Sequence, residues 1–200
     1  MIVIILLAGT CTRQARADYY ETVRITDELS DFLQYFPIDE SAPDFLALTD
    51  AEVTSSSNGD PYAPARKQTE ILRTADRLQF FLLSIDFGGT KMITEQVTQH
   101  GLEVETVVTP TLEATIESDQ YASLIREKME TGRSTMFVSQ QRLPFYLGLA
   151  YDGRVQIGVE DDEGIPRSLL ETSDETVREW VEGVYRTYRE SVRRKSLEEF

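Results

Sequence analysis

Residues 84–92 read SIDFGGTKM. An aspartate followed by Gly-Gly-Thr and a lysine forms the kind of turn that can cradle the phosphates of ATP, so phosphotransfer is the first chemistry to weigh. The motif lies mid-chain, and the following TKMITEQVTQ has helical spacing where a phosphate hairpin needs a second strand. A chain of 200 residues also cannot hold the second nucleotide domain that such chemistry requires. The plainer reading is a strand-to-helix turn, its glycines at positive φ and Thr90 capping the next helix. Backbone N–H groups at a helix start still suit an anion, so Asp86 and Thr90 stay in view as binding residues.

The other reactive groups are few. His100 is the only histidine and Cys11 the only cysteine, so no His/Cys zinc site and no disulfide framework can form. A Ser-His-Asp triad would have to use His100, which precedes Gly101 at an expected helix C-terminus and suits the dipole there. Asp161-Asp162-Glu163 before Gly164 reads as a solvated hairpin tip, without the alternation of a calcium loop. Glu103 and Glu105 share one strand face and are expected in solvent. Arg186, Arg189, Arg193, Arg194 and Lys195 make the one basic patch, read as dipole complementation of a last helix, because no helix-turn-helix pattern accompanies it.

The balance around these groups is acidic: 35 Asp and Glu against 20 Lys and Arg, net −15, with a pI near 4.5. Such a surface repels nucleic acid phosphates. Only four of the basic residues are lysines, Lys67, Lys91, Lys128 and Lys195. Carboxylate-rich and lysine-poor composition points to a halophilic cytoplasm, where salt screens self-repulsion. The opening MIVIILLAG is apolar for nine residues, well under the roughly 20 a membrane span needs. Residues 1–17 are therefore read as an atypical N-terminus, with an anchored or secreted interaction domain as an alternative.

A single α/β domain over 18–200 is expected to position these groups, led by a helix over 18–36 that Pro37 stops. Three β-α units follow: a strand over 52–56 with a helix from Asp60-Pro61 to about 82, a strand over 83–87 with a helix over 91–99, and a strand after Gly101 with a helix from Thr109-Pro110 to about 132. Short strands punctuated by Asp152-Gly153 and Glu163-Gly164 come next. A helix over 174–195 closes the chain, with Thr172 and Glu175 as a capping box and Trp180, Tyr185 and Tyr188 on its apolar stripe. The order implies a mixed sheet with helices on its faces.

The segments DELSDFLQYFP, DPYAPARKQTEILRTADR, VVTPTLEATIESD, METGRSTMFVSQQRLPFYLGLAYDGRVQIGV and LLETSDETVREWVEGVYRTYRE, in that order over residues 18–194, resemble the effector region of archaeal winged-helix transcription regulators of the methanogenesis-regulator (filament-regulator) type. The resemblance implies an α/β effector-sensing and dimerising domain similar to phospholipase-D-like sensor domains. It also implies about 80 residues of winged helix ahead of residue 18, in whose place stands only MIVIILLAGTCTRQARA. DNA contact is then expected only indirectly or not at all. The enzyme signature of that fold, His-x-Lys-x4-Asp, is absent, because His100 is followed by Gly101-Leu102.

The expected function is thus non-enzymatic ligand sensing, without cofactor or metal, in a cytoplasmic homodimer joined through the last helix. A small phosphotransferase or hydrolase using Asp86 is the alternative. Ligands of α/β sheets sit beyond the carboxyl ends of the strands. That places Asp60, Tyr62, Asp86, Thr90 and Thr109 at an effector site, with Arg66 and Arg73 within reach of an anion.

Overall fold

The structure is a computed structural model that describes residues 50–200 and, ahead of them, residues 23, 26, 29–37, 43 and 45–48. The expected N-terminus over 1–17 and most of the helix over 18–36 lie outside the described residues. Residues 29–33 are helical as expected.

One eight-stranded mixed sheet organises the chain. In chain order it uses β1 (Glu52–Ser55), β2 (Arg77–Phe81), β3 (Glu103–Val108), β4 (Ser134–Val138), β5 (Tyr146–Ala150), β6 (Val155–Glu160), β7 (Pro166–Thr172) and β8 (Arg193–Arg194). In space they lie β1-β7-β6-β5-β2-β3-β4-β8. Strands β2, β3 and β4 are parallel neighbours, and β5 to β7 form an antiparallel meander beside β2. Strand β1 joins the far edge antiparallel to β7. It therefore points the same way as β2 without touching it, so the three β-α units of the sequence do not build one parallel block.

Helices cover both faces. On one lie α1 (Ala63–Glu70), α2 (Phe87–Gln99), α3 (Pro110–Ile116) and α4 (Asp119–Glu130); on the other lie α5 (Glu175–Arg189) and the helical segment 29–33. Strand residues alternate between the two layers: Leu78, Phe80 and Met136 face α2 and α4, whereas Phe81, Phe137 and Leu147 face α5.

The helix expected to run from 60 to 82 ends early. It starts at Ala63 with Tyr62 at the N-cap and Pro64 in the first turn, and it closes through a 3-10 turn at Ile71–Arg73. Ile71, Ala75, Leu78 and Leu82 keep helical spacing, but Leu78, Phe80 and Phe81 are buried on two opposite faces. Here that is the pattern of a strand, β2, covered by helices on both faces. The strand expected over 83–87 is consequently the loop that enters α2. The helix expected over 110–132 breaks at Glu117-Ser118 into α3 and α4, and the last helix ends at Arg189 so that β8 can pair with β4. Asp174, not Thr172, caps α5, accepting from the N–H groups of Thr176 and Val177 at 2.9 and 3.0 Å.

The apolar stripe of α5 is spent inside the chain. Val177, Val181 and Tyr185 are buried; Tyr185 stacks on Phe81 with ring centroids 5.3 Å apart, and Trp180 packs on Phe36 and Phe145. Glu105 is likewise not free in solvent. It accepts from the Tyr185 hydroxyl at 2.8 Å and Arg189 Nε at 3.1 Å, and Arg189 lies 3.4 Å over the Phe137 ring.

Candidate functional site

Between the sheet and helices α1, α2 and α4 lies a cavity of about 530 Å³, lined mostly by apolar side chains. Its floor is a row of three register partners: Phe80 on β2, Thr106 on β3 and Met136 on β4. Ile93 of α2 and Ile125 with Lys128 of α4 wall it, and Tyr62, Arg66 and Gln68 border it from the α1 side. That volume suits a small organic ligand.

Two residues buried in this lining, Thr106 and Lys128, carry polar side-chain groups without protein partners. Thr106 is 1% exposed, and its hydroxyl is the single unpartnered buried side-chain polar atom among the described residues. Lys128 is 2% exposed, and its Nζ makes no ion pair or hydrogen bond with any described residue. Burial alone pushes its pKa down to about 8. Neither residue stood among the sequence candidates. A signal was available for Lys128: with Tyr121, Ile125 and Met129 it falls on one stripe of α4 at helical spacing, which places a charge on a core-facing side.

Tyr146 closes the cavity toward β5. Its ring lies along the sheet in a lane cleared by two glycines. A Cβ at Gly148 would stand 2.8 Å from the Tyr146 hydroxyl, and one at Gly158 would stand 3.1 Å from its ring. Burial raises the Tyr146 pKa well above the ordinary phenol value, so the phenol stays protonated. Behind it, buried Gln156 donates to Glu171 at 2.7 Å, and Glu171 lies 3.5 Å from Lys67.

The Gly-Gly-Thr turn sits at the mouth and does not have the expected conformation. Asp86, not Thr90, is the N-cap of α2, its carboxylate accepting from Gly89 N at 2.9 Å. Thr90 Oγ1 donates to the Asp86 carbonyl at 2.7 Å. Gly88 and Gly89 belong to the helix and take no positive φ, which is confined to Gly101, Gly132, Gly153 and Gly164 among the described residues. Close approach explains them instead, because a Cβ at Gly89 would stand 2.8 Å from Asp86 Oδ2. With a carboxylate already on the helix start, the turn offers nothing to a phosphate. Asp86→Ala is expected to cost about 1 kcal/mol in urea unfolding, and Asp86→Asn much less, as for an ordinary N-cap.

Four of the seven sequence candidates thus border the cavity: Tyr62, Arg66, Asp86 and Thr90. Asp60 stands beside it, engaging both terminal nitrogens of Arg66, with Nη1 at 2.7 Å from Oδ1. Arg73 is exposed and does not line it. Thr109 caps α3 and borders a second, more open and more polar groove that includes Arg142 and Glu160. Among the described residues no group of three His, Cys, Asp or Glu could hold a metal ion, and no helix is long and apolar enough to cross a membrane.

The family described as methanogenesis regulatory protein FilR1, middle domain, matches residues 61–191, about two-thirds of the chain. The chain belongs to this family. The match begins one residue before Tyr62 and ends two residues after Arg189, so every cavity-lining residue of this FilR1-type domain falls within it. No curated protein sequence matches the chain. Among solved structures it is similar to TrmBL2, an archaeal chromatin protein, at 13% identity and TM-score 0.56, covering 96% of this chain and 68% of that one. It is similar also to Nuc, a phospholipase D family member from Salmonella typhimurium, at 9% identity and TM-score 0.54, covering 73% and 99%. NucT from Helicobacter pylori matches at 12% identity and TM-score 0.52, covering 72% and 97%. At these identities the likeness is one of fold, the phospholipase-D-like α/β sheet.

Proposed function

We propose that this FilR1-type domain is the non-catalytic, effector-sensing middle domain of an archaeal transcription regulator, working in a salt-rich cytoplasm. One observation carries the reading: an apolar cavity of ligand size whose lining leaves the Thr106 hydroxyl and the Lys128 ammonium without protein partners. Protein interiors satisfy such groups unless a ligand does so. Occupancy would tie α1, α2 and α4 to the sheet through one bound molecule, and tight binding to the folded state alone stabilises it by mass action.

Catalysis does not belong to this reading. His100 sits exposed at the C-terminal end of α2, remote from Asp86 at the helix start, and the nuclease-type His-x-Lys-x4-Asp pattern is missing. TrmBL2 binds DNA; contact with DNA would here be indirect, through other parts of the regulator. Dimerisation stays part of the proposal, with its contact away from the apolar stripe of α5, because the sheet already covers that stripe.

A thermal-shift panel of metabolites is expected to yield compounds that raise the melting temperature of the wild type and leave Thr106→Phe, whose ring fills the cavity floor, unmoved. A panel without any shift, or shifts that survive Thr106→Phe, would remove the cavity as the sensor. Hydrolysis of a phosphodiester such as bis(p-nitrophenyl) phosphate is expected to be absent; turnover abolished by Asp86→Ala would restore the enzyme alternative.

A further inference from the structure

The charges in the cavity do not balance, and the imbalance names the chemistry of the ligand; the inference rests on the sensor reading above. Arg66 is neutralised by Asp60, and the Asp86 carboxylate is spent on the start of α2. Lys128 is left as the one uncompensated charge among the described lining residues. A methionine there would pack against Ile125 and Met136 without any cost of desolvation, so a buried lone ammonium is a feature that stability disfavours. The Thr106 hydroxyl adds a second donor without a partner, next to Met136 in register. The rest of that region, Leu78, Phe80, Ile93 and Ile125, is hydrocarbon.

We propose that the effector is a small amphipathic monoanion, one carboxylate on an alkyl or aryl-alkyl body. The carboxylate accepts hydrogen bonds from Lys128 Nζ and the Thr106 hydroxyl, and the hydrocarbon lies on Phe80, Ile93 and Ile125. A polyhydroxylated ligand would leave most of its hydroxyls against apolar walls. A phosphate or dianion would bring more negative charge than one ammonium offsets, beside a helix start that Asp86 already occupies. Burial lowers the Lys128 pKa only to about 8, so the ammonium form still predominates at neutral pH.

Isothermal titration of the intact chain with dodecanoate and phenylbutyrate, each against its alcohol, dodecanol or phenylbutanol, tests this. The wild type should bind at least one acid about 10-fold or more tightly than its alcohol, the scale of a charge-assisted hydrogen bond. Lys128→Met should reverse that preference, and Lys128→Arg should keep it. Lys128→Gln, which keeps an N–H donor without the charge, gives a second neutral variant, and far-UV circular dichroism confirms that each chain is folded. A preference for acid that survives Lys128→Met overturns the pairing of the carboxylate with Lys128; equal binding of acid and alcohol by the wild type overturns the carboxylate assignment and leaves the cavity a sensor of neutral molecules. Wild-type chain that binds none of the four probes overturns it as well, and the sensor reading then stands or falls on the metabolite panel.

Discussion

Lys128→Met is expected to make the domain more stable, by about 3 kcal/mol at pH 7. The figure follows from burial alone, since the fall of the Lys128 pKa from 10.5 to about 8 has no other cause. The group is 2% exposed, so solvent screens little of that cost. Between pH 8 and 10.5 the unfolded chain holds a proton on Lys128 that the folded chain has lost. Stability of the ligand-free wild type therefore rises through that window, and the gap between wild type and Lys128→Met closes with it. Urea unfolding at pH 7 and again near pH 10 measures both effects. A Lys128→Met chain no more stable than wild type at pH 7 would mean that the ammonium has a counter-charge, and the reason to expect an anionic ligand would go with it. A side chain that lowers stability and sits in a cavity is what a binding site retains at the expense of the fold.

Lys195→Met is expected to do the opposite and lower stability by about 2 kcal/mol, somewhat less than the roughly 3–5 kcal/mol that removing one partner of a fully buried ion pair costs. Lys195 is 1% exposed, as deeply buried as Lys128, but its Nζ bonds Glu113 at 2.8 Å and Glu117 at 2.6 Å. It follows β8, and its N–H donates to the Met136 carbonyl at 2.9 Å, so it holds the final residues against β4. Without it Glu113, whose side chain is 14% exposed, keeps only Arg193 at 2.6 Å. The cost stays moderate because Glu117 is 45% exposed and can regain water.

Burial works to lower the Lys195 pKa, but the hydrogen bonds to Glu113 and Glu117 outweigh it and hold the pKa above 10.5. Burial works to raise that of Glu113, and its bonds to Lys195 and Arg193 outweigh this and hold it below 4.5. The lysine's contribution is therefore complete below pH 10.5 and lost only as pH climbs through its folded value. The glutamate's is complete above 4.5 and lost as pH falls through its own. Wild type and Lys195→Met should differ most near neutrality and converge in acid. The double variant Lys195→Met with Glu113→Gln should recover part of the loss, since the stranded carboxylate is gone. A single variant as stable as wild type would show that the tail is not held by this pair.

Much of the fold is legible in local chemistry. The strands of the second half follow from their apolar alternation and from the Asp152-Gly153 and Glu163-Gly164 turns, where Gly153 and Gly164 take φ of 103° and 78°. Thr109-Pro110 marks the start of α3 as its residue types require. The boundary between α1 and β2 is different. Ile71, Ala75, Leu78 and Leu82 satisfy a helical period and Leu78, Phe80 and Phe81 satisfy a doubly covered strand, so spacing alone admits both. The second helical layer, brought by α5 from about 100 residues downstream, decides it.

The candidate site divides in the same way. Types and turn positions bring Tyr62, Arg66, Asp86 and Thr90 to the cavity, whereas Arg73 and Thr109 share their chemistry but point elsewhere. By itself the sequence determined the acidic, lysine-poor balance, the succession of β-α units, antiparallel strands and a late helix, the family, and the absence of a histidine-based catalytic pattern, because these depend on residue type and local spacing. Only the tertiary structure decided that β1 lies on the opposite edge of the sheet and that the Gly-Gly-Thr turn is already capped by its own aspartate. It alone separates two equally buried lysines. The carboxylates that satisfy Lys195 lie 82 and 78 residues away along the chain, and none reaches Lys128 among the described residues. Periodicity says which way a side chain faces, and long-range packing says what it meets there.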